Sequence, residues 1–142
     1  MSRSRLTVTV DETHKLLIAR YSGLMSGAEI VTHLVDQAER IHEPWTYDHI
    51  FDTRRHDGVM LMTDMDTLAK RWARLAEGRD AGCMSAMISA DPLNYARQSQ
   101  RQVLFPGRIM GVFATFDEGL EWIKTVRGYN QRATSLSNSV SL

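Results

Sequence analysis

The polar chemistry of this 142-residue chain gathers in residues 50–64, IFDTRRHDGVMLMTD. Asp52, Thr53, Arg54, Arg55 and His56 follow one another behind a short apolar run, Ile50-Phe51. Two adjacent guanidinium groups can hold a carboxylate or a phosphate with paired donors. A helix start expected at Thr63-Asp64 would add free backbone N–H groups and the positive end of a dipole, which Asp64 and Asp66 already complement. The plain alternative for Arg54 and Arg55 is a solvated charged loop. Val59-Met60-Leu61-Met62 is apolar where a loop should be polar. Methionine adapts to irregular partners. Met60 and Met62 therefore read as a lid over a small ligand, as a contact between two copies of the chain, or as part of a loop folded back onto the core.

Other chemistries find little material. Cys83 sits among apolar neighbours, where a thiol is an inert core residue. His14, His33, His42, His49 and His56 are scattered without ligand spacing, so no metal site is expected. No nucleophile elbow, phosphate loop or dinucleotide fingerprint occurs, and no cofactor is expected. A second strand-to-helix junction, with Asp91-Pro92 and Tyr95, could share a pocket with Asp52, although Asp91 serves equally as a helix cap.

Lys plus Arg (17) balance Asp plus Glu (17), which removes a whole-protein electrostatic case for nucleic acid or an anionic membrane. Hydrophobic residues at 43% and charged residues at 24% fit one globular core. A single cysteine permits no internal disulfide. The opening MSRSRLTVTV lacks the apolar run of a secretory signal, and no stretch reaches membrane length. A cytoplasmic protein without membrane insertion is expected.

The elements that must position residues 50–64 follow from periodicity. Residues 6–10 alternate apolar and polar, and residues 15–22 form a second strand a short turn away, which predicts a hairpin. Ser26 and Glu29 form a capping box ahead of a helical stripe of Ile30, Val31, Leu34, Val35, Ala38 and Ile41. A third strand over 47–53 leads into the charged loop. Beyond it, a helix buries Leu68, Ala69, Trp72, Leu75 and Ala76 and stops at Gly78. A fourth strand spans 82–89. Asp91-Pro92 then opens a helix over about 93–104 whose Arg97, Gln98, Gln100, Arg101 and Gln102 predict a solvated or partner-facing surface. A fifth strand (108–114) and a helix capped by Thr115 and Glu118 close the domain. The Ser- and Asn-rich end from Gly128 reads as a disordered tail. The order β-β-α-β-α-β-α-β-α predicts an α/β domain over residues 1–127, a tail over 128–142, and a mixed, mostly parallel five-stranded sheet with its first strand antiparallel at one edge.

Four phrases carry a family likeness: RYSGLMSGAEI, HIFDTR, MISADPLNYARQ and FATFDEGLEWI, the last placing Phe113, Glu118, Trp122 and Ile123 in a closing strand and helix. With the element order over about residues 5–127, they make the chain resemble the STAS-like group, the SpoIIAA-like fold also seen in anti-sigma-factor antagonists. The resemblance implies a bacterial, cytoplasmic regulatory or ligand-sensing module. In antagonists of that type a serine after the third strand is phosphorylated by a partner kinase. Here the position reads Asp52-Thr53-Arg54-Arg55, and no serine occurs between Ser26 and Ser85. Thr53 or Thr63 could accept phosphate, although neither sits in that motif.

The resulting expectation is a non-enzymatic domain that binds a protein partner, a small ligand or a second copy of itself through Asp52, Thr53, Arg54, Arg55, Met60, Met62 and Thr63. The rival is an enzyme or a carrier of lipid or another small apolar molecule, with a pocket beside Asp52 under residues 59–62.

Overall fold

The computed structural model describes the backbone of residues 5–140 and side chains as far as Gly128. It contains β1 (Arg5–Asp11), β2 (Leu16–Gly23), α1 (Gly27–Glu39), a 3-10 turn at Pro44–Thr46, β3 (Asp48–His56), α2 (Met62–Ala76), β4 (Met84–Ile88), α3 (Pro92–Ala96), α4 (Gln98–Leu104), β5 (Ile109–Phe113) and α5 (Phe116–Val140). The strands form one sheet in the order β1-β2-β3-β4-β5. β1 is antiparallel to β2 at one edge, and every later pairing is parallel. The mixed sheet expected from the sequence is the observed one. The side chains of the tail expected over 128–142 lie outside the described residues beyond Gly128.

Because β2 to β5 step across the sheet in chain order, right-handed crossovers place all their connecting helices on one face. α1 packs on α2, and α2 on α4. α5 follows the last strand and returns over β3, β4 and β5 on the opposite face. Strand side chains alternate between these two environments. Leu16, Ile50, Met84, Ala86 and Ile88 meet Ile123 of α5. Leu17, Ala19 and Tyr21 meet Ile30 of α1, with Phe51 and Met60 against them. Ser26 caps α1 by accepting the Glu29 N–H at 3.2 Å, and Asp91 caps α3 by accepting the Leu93 N–H at 3.0 Å.

Three expectations about element bounds and one about Cys83 need correction. β3 does not stop at Thr53 but continues to His56, because β2 keeps pairing with it through Gly23↔His56, across a register shift between Arg20 and Ser22. Thr53, Arg54 and Arg55 therefore belong to a strand, and the loop is only residues 57–61. It is held close: a Cβ on Gly58 would lie 2.4 Å from the Met25 carbonyl oxygen. α2 begins at Met62, so Thr63 is in its first turn and is not its cap. Leu61 offers no side-chain acceptor, and the Asp64 carboxylate takes the Leu61 N–H at 3.1 Å instead. Cys83 precedes β4 and is half-buried, its thiol donating to the Trp45 carbonyl at 3.3 Å.

The third expected helix is two helices that meet at Arg97. Opposite tethers account for the break. Asn94 donates to the Ser89 hydroxyl at 2.7 Å, and Tyr95 to the Ser89 carbonyl at 3.3 Å, holding α3 at the end of β4. Gln98 donates to the Met110 carbonyl at 3.1 Å, while the Gln102 carbonyl oxygen accepts the Met110 N–H at 3.0 Å, pulling α4 onto the free edge of β5. The polarity of α4 thus satisfies an exposed strand edge. It is not the solvated or partner-facing surface expected, and Arg101 is buried.

Candidate functional site

The polar cluster is divided: Asp52 and Arg55 border one depression, whereas Thr53 and His56 line a cavity together with Met60 and Met62. Asp52 turns toward the α5 side and is buried. Arg54 engages it with both prongs, Nε to Oδ1 at 2.9 Å and Nη2 to Oδ2 at 2.8 Å. That guanidinium holds the Asp52 carboxyl below the usual carboxylate range against the opposing effect of burial, and the carboxylate raises Arg54 in return. An incoming anion would have to displace a bidentate carboxylate already in place. Arg55 is exposed and borders a separate depression with Thr7, Arg20 and Ser22.

On the other face, a cavity of about 360 Å³ opens between the sheet and the helices. β3 supplies His49, Phe51 and Thr53 to its floor, β4 supplies Ser85 and Met87, and Ser89 follows just past the end of β4. Met65, Leu68 and Trp72 of α2 form one wall, and Arg97 and Arg101 at α4 form another. Met60 and Met62 reach it from the loop and the start of α2. The opening lies where small residues, Ser85, Ser89 and Gly111, floor the sheet beneath helices that α4 cannot close, tied as it is to the edge of β5.

Polar groups are buried in this apolar enclosure. The His49 ring lies edge-on to Phe51 and Trp72, with centroids 5.5 and 5.3 Å away. Burial, reinforced by the Arg108 charge, pushes His49 well below the ordinary histidine range, so it is a neutral imidazole. Arg108 donates from Nε to the Ser85 hydroxyl at 2.8 Å and from Nη2 to the Tyr47 and Met84 carbonyls at 2.9 Å. Among the described residues its Nη1 has no hydrogen-bond partner, and it lies 3.7 Å from Asp80. Trp72 donates to the same Asp80 carboxylate at 2.7 Å. Cys83, close by, is pushed up chiefly by burial, which suits an unreactive thiol.

Of the residues singled out in the sequence, the structure brings Thr53, Met60 and Met62 to the cavity. Thr53 spends its hydroxyl on the Ile88 carbonyl at 2.9 Å. Arg54 touches both the cavity rim and the depression, Asp52 and Arg55 belong to the depression alone, and Thr63 is exposed on α2. The cavity under residues 59–62 is lined by Thr53 and Arg54 but not by Asp52, which borders the separate depression. His49, Trp72, Ser85, Arg101 and Arg108 were not singled out as site residues. Strand alternation was the available signal for two of them, since His49 shares a face with Phe51 and Ser85 with Met87.

No protein-family model matches the chain, and no curated protein sequence does. A solved structure does: an uncharacterized protein of the DUF3478 family with a SpoIIAA-like fold, from Shewanella loihica PV-4. It is 17% identical, with a TM-score of 0.54, over 87% of this chain and 98% of that one. The fold is SpoIIAA-like. At this identity the likeness extends to the fold alone. On the SpoIIAA-like frame, the junction where the resemblance implies a phosphorylated serine carries Thr53, hydrogen-bonded into the sheet, and the exposed Thr63 beside Asp64 and Asp66.

Proposed function

We propose that this SpoIIAA-like domain is a non-enzymatic, ligand-sensing module that takes a small, mostly apolar molecule into the cavity over β3 and β4. The cavity itself carries the reading. Its volume of about 360 Å³ falls in the range of roughly 300–1,000 Å³ typical of small-molecule pockets. Aromatic and methionine walls with a few fixed polar groups match the usual make-up of such sites. Met60 of the loop of residues 57–61 and Met62 just after it line the cavity, so occupancy would alter the surface presented by Val59 and Leu61. Sensing in this scheme is a change in that loop when the cavity fills.

The test is a titration with the neutral dye N-phenyl-1-naphthylamine, alongside the variant Met87→Trp, which fills the floor. The wild type should give saturable, one-to-one fluorescence enhancement, and the folded variant should bind roughly tenfold more weakly or worse, a loss of about 1.4 kcal/mol. Equal binding by the two proteins would remove the cavity as the site.

A second reading has its own observation. Val59 and Leu61 are 64% and 58% exposed, while their neighbours Met60 and Met62 turn inward. A protein partner or a second copy of the chain would meet Val59 and Leu61. Val59→Glu with Leu61→Glu should then convert a dimer to a monomer in light scattering, whereas a wild type already monomeric excludes self-association.

A further inference from the structure

We propose that the ligand is an acid, an apolar body with one anionic head, and that the head seats on Arg101 at the α4 wall of the cavity. This deepens the ligand-sensing reading and rests on it. Five arginines line the cavity, including Arg71, Arg97 and Arg101, against a single carboxylate, Asp91. Asp91 is spent on the Leu93 N–H at the start of α3. Arg54 is paired with Asp52, and Arg108 lies near Asp80. Arg101 is only 4% exposed, yet no carboxylate among the described residues pairs with it. One of its amino groups donates to the Asn94 carbonyl, and the side chain otherwise borders the cavity.

A buried guanidinium without a counter-ion is costly, because desolvation is not repaid by a nearby opposite charge. Arg97, one turn earlier, adds to that cost; burial first and this like charge second pull Arg101 below the ordinary arginine range. Arg97 itself reaches only the Met60 carbonyl, at 3.4 Å. The buried Arg108 Nη1, without a hydrogen-bond acceptor, is a second donor left over at the same cavity. An anionic head seated on Arg101 supplies the opposite charge that this guanidinium lacks. The apolar walls of Phe51, Leu68 and Met87 exclude a small inorganic ion as the whole ligand and call for a hydrocarbon body.

Three probes of equal length and different heads test this on the unmodified protein: decanoate, decan-1-ol and decyltrimethylammonium, each below its micellar concentration. Binding is followed by calorimetry at neutral pH. Decanoate should bind roughly tenfold or more tightly than decan-1-ol, the worth of one charge-assisted hydrogen bond, and decyltrimethylammonium should not bind. Arg101→Met should abolish the preference for decanoate over decan-1-ol, and Arg101→Lys should restore part of it. Equal affinities for decanoate and decan-1-ol in the wild type would overturn the acid assignment while leaving the cavity reading intact. Binding of none of the three would overturn both.

Discussion

The two faces of the sheet are made from the same strands, often from adjacent residues, and are packed to different ends. On the α5 side, Ile50, Met84, Ile88 and Ile123 are fully buried, and Phe113, Phe116 and Trp122 close around them. A Cβ on Gly119 would meet the Ile88 side chain at 2.6 Å, so α5 lies as near to the sheet as its backbone allows. On the other side, three helical connections cover the sheet incompletely, and a neutral histidine and two buried arginines border the space left. Both faces hold a buried cluster, Leu17, Ala19, Tyr21 and Ile30 on the α1 side among them, but only the α5 side is filled along β3 and β4. The other face leaves a cavity of about 360 Å³, the space in which the proposed ligand would sit.

Truncation should expose the contrast most strongly. Ile50→Ala, on the filled face, removes a fully buried side chain and should cost about 4 kcal/mol in chemical denaturation, transfer and new void together. Leu68→Ala only enlarges an existing cavity and should cost about 2 kcal/mol or less. Similar losses at both positions would mean that the hollow face is filled in solution.

A smaller effect separates the faces by pH. His49 is held neutral in the folded chain and titrates normally near 6.5 when unfolded. Below that value the unfolded state binds the extra proton, so the folded state loses stability as pH falls from about 6.5 toward the depressed folded value. The slope can reach about 1.4 kcal/mol per pH unit for one such group. His49→Gln should remove this part of the acid sensitivity in urea denaturation between pH 5 and 7, on the order of one proton per molecule. An unchanged slope would show that His49 is protonated without cost.

Much of the frame was legible because it depends on neighbours in sequence. Alternation marked the strands, Ser26 and Asp91 announced their helices, and the β/α order implied the parallel sheet. The end of β3 was not legible. Arg54, Arg55 and His56 look like loop residues, but backbone pairing with β2 extends the strand regardless of side-chain polarity. The α4 helix shows the same limit. Its glutamines were visible, but what they satisfy is the edge of β5, whose free N–H and C=O groups leave no trace in a hydropathy pattern. Of the candidate site, Thr53, Arg54, Met60 and Met62 were legible in the sequence. Its other members come from α2, β4, α4 and the start of β5, and only tertiary packing brings these together.

Localising a bound probe residue by residue tests the central claim most directly. In a ¹⁵N-resolved NMR titration with decan-1-ol, the hollow-face account predicts saturable shifts at the amides of Phe51, Met62, Trp72, Met87 and Ser89, with Ile123 and its neighbours on α5 unmoved. Shifts confined to Leu24, Val59 and Leu61 on the surface, or an absence of saturable shifts, would contradict it.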